Sequence, residues 1–131
     1  MKNFSIITLI FVLPLIAYFA LTRPDASMAA KKAIDPNKPQ IIKFTSLMCL
    51  DCKKLDKVFK EVYPTYGNKI TLIEVPVQSE TEFTKQQIEK YNVTLVPTMV
   101  FLNAKGKKIL KTEGFVEKTT LEKYMKDLIH E

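Results

Sequence analysis

The sequence predicts an α/β domain, with a central mixed sheet of about four strands flanked by helices, preceded by an N-terminal transmembrane helix. Three observations carry this reading. Short apolar runs alternate with stretches of helical periodicity in the order β-α-β-α-β-β-α. A β-α-β start demands a parallel pair with a right-handed crossover, while the last two strands are close enough to form a hairpin. Finally, Phe4 to Leu21 are 18 residues without a charge, about the length that crosses a bilayer core.

Within that first run only Ser5 and Thr8 are polar, so no polar face exists for a surface helix. Pro14 interrupts it, which membrane helices tolerate. Two readings compete. A cleavable signal would use Lys2 as its n-region and cut after Ser27-Met28-Ala29. The run exceeds the usual h-region, however, and charged Arg23 and Asp25 precede that site, which favours an uncleaved anchor over residues 4–21. Lys2 precedes the run but Arg23, Lys31 and Lys32 follow it, so the Lys/Arg count leaves orientation equivocal or even adverse to export. Export of the domain is favoured because short N-terminal anchors resemble secretion signals. The expected location is the outer face of a cytoplasmic membrane, periplasmic where there is a periplasm. A secreted soluble form would follow from cleavage. The expected division is 1–22 anchor or signal segment, 23–39 tether and 40–131 folded domain. The tether is marked by Pro24, Pro36 and Pro39 and by its lack of periodicity.

The elements follow in order. Ile41 to Thr45 reads as a buried strand. After Cys49, the residues Leu55, Val58, Phe59 and Val62 recur at helical spacing up to Pro64. Ile70 to Val75 is the second strand. Ser79-Glu80-Thr81-Glu82 has the form of a capping box and predicts a helix to about Tyr91. Thr98 to Leu102 is the third strand, and Asn103-Ala104-Lys105-Gly106 turns the chain into a fourth near Lys108–Lys111, ended by Gly114. A second capping box, Thr119-Thr120-Leu121-Glu122, opens a helix with Leu121, Tyr124, Met125, Leu128 and Ile129 on one face.

The chemistry sits at the junction of the first strand and helix, in Cys49-Leu50-Asp51-Cys52. Both thiols can meet within a first helical turn, and a helix N-terminus stabilises a thiolate on Cys49. The later thiol is less exposed and can resolve a mixed disulfide. A purely structural disulfide would close a tiny loop and add little. Two cysteines and one histidine cannot complete a four-ligand zinc site. Attachment of c-type haem needs a histidine after the second cysteine, where Lys53 stands. A redox pair is the favoured reading, with no metal and no cofactor. The net charge of +6 includes Lys53, Lys57 and Lys60 on one helix face, with Lys54 nearby. Without interleaved aromatics this reads as a solvated face and not as a nucleic-acid surface, with weak attraction to anionic lipid heads beside the anchor as a further reading.

From Gln40 to Ile129 the sequence resembles the thioredoxin superfamily. The resemblance is carried by Phe44 and its strand leading to the C-x-x-C, by Val96-Pro97-Thr98 before an apolar strand, and by Gly114 before an amphipathic helix. It implies a thioredoxin-like fold, with Cys49 as nucleophile, Cys52 as resolving thiol, and a cis Pro97 opposite their disulfide. The Val96 backbone would pair with an extended substrate segment, and Met48, Leu50 and Asp51 would complete the contact surface. The implied function is a thiol–disulfide oxidoreductase acting on protein disulfides in the reducing direction. It would draw on an upstream thiol donor such as a membrane electron carrier, as do the periplasmic thiol-reducing relatives. A redox-silent binding module or chaperone, and an oxidase running in reverse, are the alternatives.

Several positions depart from the family pattern. Met48 replaces the usual Trp, and Leu50-Asp51 is neither the Gly-Pro of thioredoxins nor the Pro-His of oxidants. Lys43 stands where the family carries a buried acid, and Glu74 where thioredoxins have lysine. An interior ammonium requires a partner, so Lys43 and Glu74 are expected to form a charge-reversed pair beneath the disulfide, with Glu74 relaying the Cys52 proton; the alternative is a small strand twist that lets Lys43 snorkel to solvent.

Overall fold

The computed structural model describes residues 12–16, 18 and 37–131. The chain divides into two units, Met1–Ala33 and Ile34–Glu131. In the first, residues 12–16 and 18 are helical, and Leu13, Leu15, Ile16 and Tyr18 are exposed. The rest of the expected anchor, and the tether up to residue 36, lie outside the described residues. Among the described residues no helix is long and apolar enough to cross a membrane.

The second unit is built on a four-stranded sheet: β1 (Gln40–Thr45), β2 (Thr71–Pro76), β3 (Thr98–Leu102) and β4 (Lys108–Glu113). Their spatial order is β2-β1-β3-β4. β1 runs parallel to β2, with Lys43 opposite Glu74, and antiparallel to β3, which pairs antiparallel with β4. The mixed sheet is therefore the expected one. Three helices join it: α1 (Leu50–Val62), α2 (Glu82–Lys90) and α3 (Lys118–His130).

Successive residues of a strand point to opposite faces, and the core divides accordingly. Ile41, Met99 and Phe101 pack with Leu55, Phe59 and Val62 of α1 and with Leu121, Met125 and Leu128 of α3. Ile42, Phe44, Val75, Val100 and Leu102 pack with Tyr91 on the other face. Leu121 is fully buried. Leu121→Ala is therefore expected to cost about 2–5 kcal/mol through lost transfer energy and the cavity left behind. A denaturant midpoint unchanged within error would show that α3 is not part of the cooperative core.

Both expected capping boxes are displaced. The cap of α2 is Thr81, two residues after Ser79: its Oγ1 accepts from the Thr84 N–H at 3.2 Å and donates to the Thr84 hydroxyl at 2.9 Å. The Ser79 N–H instead closes a turn onto the Pro76 carbonyl at the end of β2. Likewise α3 begins at Lys118 behind Glu117, which makes no side-chain cap. Thr119 falls inside its first turn because Leu121 N–H already bonds Glu117 O. In each case a competing local hydrogen bond moved the start.

Candidate active site

The site lies where β1 and β3 meet the start of α1. Cys49 is the N-cap residue of α1 in extended conformation (φ −92°, ψ 116°), and its Sγ accepts the Cys52 N–H at 3.1 Å. That bond satisfies one of the donors a helix start leaves free, and it points a partial positive charge at sulfur. The two cysteines are joined as a disulfide, with Cα atoms 5.2 Å apart. Cys49 is half-buried, whereas Cys52 is 1% exposed against the core. The order expected of an attacking and a resolving thiol is thus present in their accessibility.

The opposite wall comes from the segment before β3. The Val96–Pro97 bond is cis, and the Val96 carbonyl lies 3.7 Å from Cys49 Sγ. Thr98 Oγ1 donates to Leu95 O at 2.8 Å, and Gly114 N–H donates to Pro97 O at 2.7 Å. Gly114 does this at φ +86°, a backbone region that side-chain-bearing residues rarely adopt. Around the disulfide the surface is apolar: Met48 is 93% exposed, and Leu47, Leu50, Leu95 and Phe115 are all exposed. Asp51 is exposed and ion-paired with Lys54 at 3.0 Å, so its charge is screened by solvent and partner alike.

Lys43 does not reach solvent. It is 3% exposed, and its ammonium donates to Asp56 Oδ1 at 2.5 Å and is ion-paired with Glu74 Oε1 at 2.6 Å. The Phe59 ring lies 4.9 Å beneath it. Lys43 shares a face of β1 with Ile41, which turns it toward α1. The acids are not interior: Asp56 is 41% and Glu74 59% exposed. The expectation of an interior pair is corrected here, because only the cation is buried and it has two half-exposed anions. Asp56 was not singled out from the sequence. Its only signal is its spacing of four from Cys52, which places it one turn along the same helical face.

Among the described residues no cluster of His, Cys, Asp and Glu suits a metal ion.

Residues 26–129 match the thioredoxin-like domain family. This chain belongs to the thioredoxin-like family. A thioredoxin from Alicyclobacillus acidocaldarius is 24% identical over 109 residues, which span 83% of this chain and 97% of that protein. A putative thioredoxin H10 from Arabidopsis thaliana is 30% identical over 92 residues, covering 70% of this chain and 55% of that protein. Among solved structures, oxidised thioredoxin O2 from Arabidopsis thaliana superposes with a TM-score of 0.63 at 29% identity, covering 77% of this chain and 84% of that one. The thioredoxin-like chain carries a disulfide-forming Cys49–Cys52 pair and is a thiol–disulfide oxidoreductase whose partners are protein substrates.

Proposed function

We propose that this thioredoxin-like protein reduces protein disulfides from a membrane-anchored position, with its domain on the extracytoplasmic side. The observation that carries the exchange chemistry is the asymmetry of the two sulfurs, with Cys49 half-buried at a helix cap beside the Val96 carbonyl and Cys52 buried behind it; the reducing direction is favoured by Leu50-Asp51, which is not the Pro-His of oxidants. The Cys49 thiolate attacks one sulfur of a substrate disulfide, and the first substrate thiolate departs. The Cys52 thiolate then attacks Cys49 Sγ, and the second substrate thiolate leaves. Two electrons pass to the substrate, and the enzyme is left oxidised, to be reset by an upstream thiol donor such as a membrane electron carrier. Val96 offers its backbone to an extended substrate strand, and Met48 and Leu50 supply adaptable apolar contact on either side of Cys49.

The anchor reading is supported by the uncharged run Phe4–Leu21 and by the exposed apolar side chains of its described helical residues. Dithiothreitol-driven reduction of insulin by the full chain tests the direction. Turnover well above the uncatalysed rate is expected. A chain that oxidises a dithiol peptide yet leaves insulin intact would be an oxidase. Mass measurement of the native protein tests the anchor, since a mature N-terminus near Ala30 would show a cleaved segment.

A further inference from the structure

We propose that the end of the domain opposite the disulfide is a contact surface for anionic phospholipid headgroups. The proposal rests on the reading of residues 4–21 as an anchor and is independent of the direction of electron flow. The strand register fixes the geometry. Gln40, Thr71 and Leu102 lie side by side at one end of the sheet, with Lys108 opposite Leu102. Thr45, Pro76 and Thr98 lie toward the other end, where the disulfide is. The chain from the apolar N-terminal segment therefore enters the domain at the end remote from Cys49, and Thr71 N–H bonds Pro39 O there.

Three stretches converge on that end: 37–39, 66–70 and 103–108. They contain Lys38, Lys69, Lys105, Lys107 and Lys108 and no Asp or Glu. Lys69, Lys105, Lys107 and Lys108 are exposed, and none of the four has an ion-pair partner among the described residues. The hairpin is also built to hold its shape. Asn103 Oδ1 accepts the N–H groups of both Lys105 and Lys107 at 3.0 Å, and Asn103 N–H donates to Lys107 O at 2.9 Å. Gly106 takes φ +77° to complete the turn. Beyond it, Ile109 sits in a β-bulge and is 39% exposed, an apolar side chain beside three lysines. Juxtamembrane lysines gain from the negative surface potential of anionic lipids. Of the basic helix face, Lys53 lies in the first turn of α1 beside the disulfide and Lys60 in its last turn.

Full-length protein reconstituted into vesicles of phosphatidylglycerol mixed with phosphatidylcholine, and of phosphatidylcholine alone, separates the outcomes. Amide hydrogen exchange in 103–108 is expected to slow in the anionic vesicles while 46–51 exchange equally in both. Each of Lys105→Glu, Lys107→Glu and Lys108→Glu should reduce that protection by about fivefold or more, and high salt should erase it. Insulin reduction by these variants should be unchanged. Equal exchange in both vesicles, protection that survives the triple variant, or protection by a single-stranded oligonucleotide in place of phosphatidylglycerol would overturn the proposal. Release of the chain by alkaline carbonate would overturn the anchor reading together with it. A retained chain without protection would overturn the surface alone.

Discussion

Cys52→Ser is expected to abolish insulin turnover and to leave Cys49 covalently linked to its substrates. With Cys49 at the helix cap and Cys52 behind it, the first exchange needs only the outer sulfur. The second needs the inner one, and a hydroxyl cannot displace a thiolate from a mixed disulfide. Cys49→Ser should abolish both turnover and linkage. Expression of Cys52→Ser in the native host, followed by non-reducing separation, would reveal the captured proteins. Trapping by Cys49→Ser in place of Cys52→Ser would reverse the assigned roles. Alkylation of the reduced chain near neutral pH should likewise label Cys49 before Cys52.

The second large effect concerns Lys43, and it is asymmetric. Removing both acids with Asp56→Asn and Glu74→Gln leaves a buried ammonium without an anion. That should destabilise the domain by about 3–5 kcal/mol. Lys43→Met leaves Asp56 and Glu74 unpaired, but both are already substantially exposed and can be hydrated. Methionine fills a similar volume over Phe59, so the cost should stay below about 1.5 kcal/mol. Urea midpoints decide it, and equal costs would show that the cation, too, is effectively solvated. The catalytic consequence runs separately. Lys43→Met removes a positive charge that favours thiolates and so the reduced dithiol, and the reduction potential should become more negative in equilibration with glutathione. Asp56→Asn alone should slow resolution by Cys52 if the proton leaves through that carboxylate. If neither variant moves the potential or the resolution rate, the cluster is structural only.

The fold was legible because its signals were local and mutually consistent. The run around Ile41–Thr45, the helical stripe Leu55–Phe59–Val62 and the hairpin turn at Asn103–Gly106 each name one conformation. Val96-Pro97-Thr98 and the C-x-x-C mark the two walls of the site in the sequence itself. What escaped the sequence depends on how elements rotate against each other. Asp56 reads as one more charge in a lysine-rich helix, and only the packing of α1 on β1 shows that it meets Lys43. The same applies to Glu74: its register opposite Lys43 was anticipated, but its exposure is set by what covers β2. The capping boxes failed for a different reason. Ser79 and Thr81 both offer a hydroxyl to a helix start, and the turn closing β2 decides between them.

The place of β1 in the middle of the sheet also sets when the domain can form. Its parallel partner β2 lies some thirty residues downstream, and its antiparallel partner β3 some sixty, and such distant pairings must overcome loop-closure entropy before any contact repays it. The strand that leads to Cys49 therefore remains unpaired on one side until Thr98–Leu102 has emerged from the ribosome. A chain leaving the ribosome cannot assemble its redox site early, and most of its length stays extended and threadable before the sheet closes. Late closure keeps the two walls of the redox site, the C-x-x-C after β1 and the segment before β3, apart until nearly the whole domain has been synthesised.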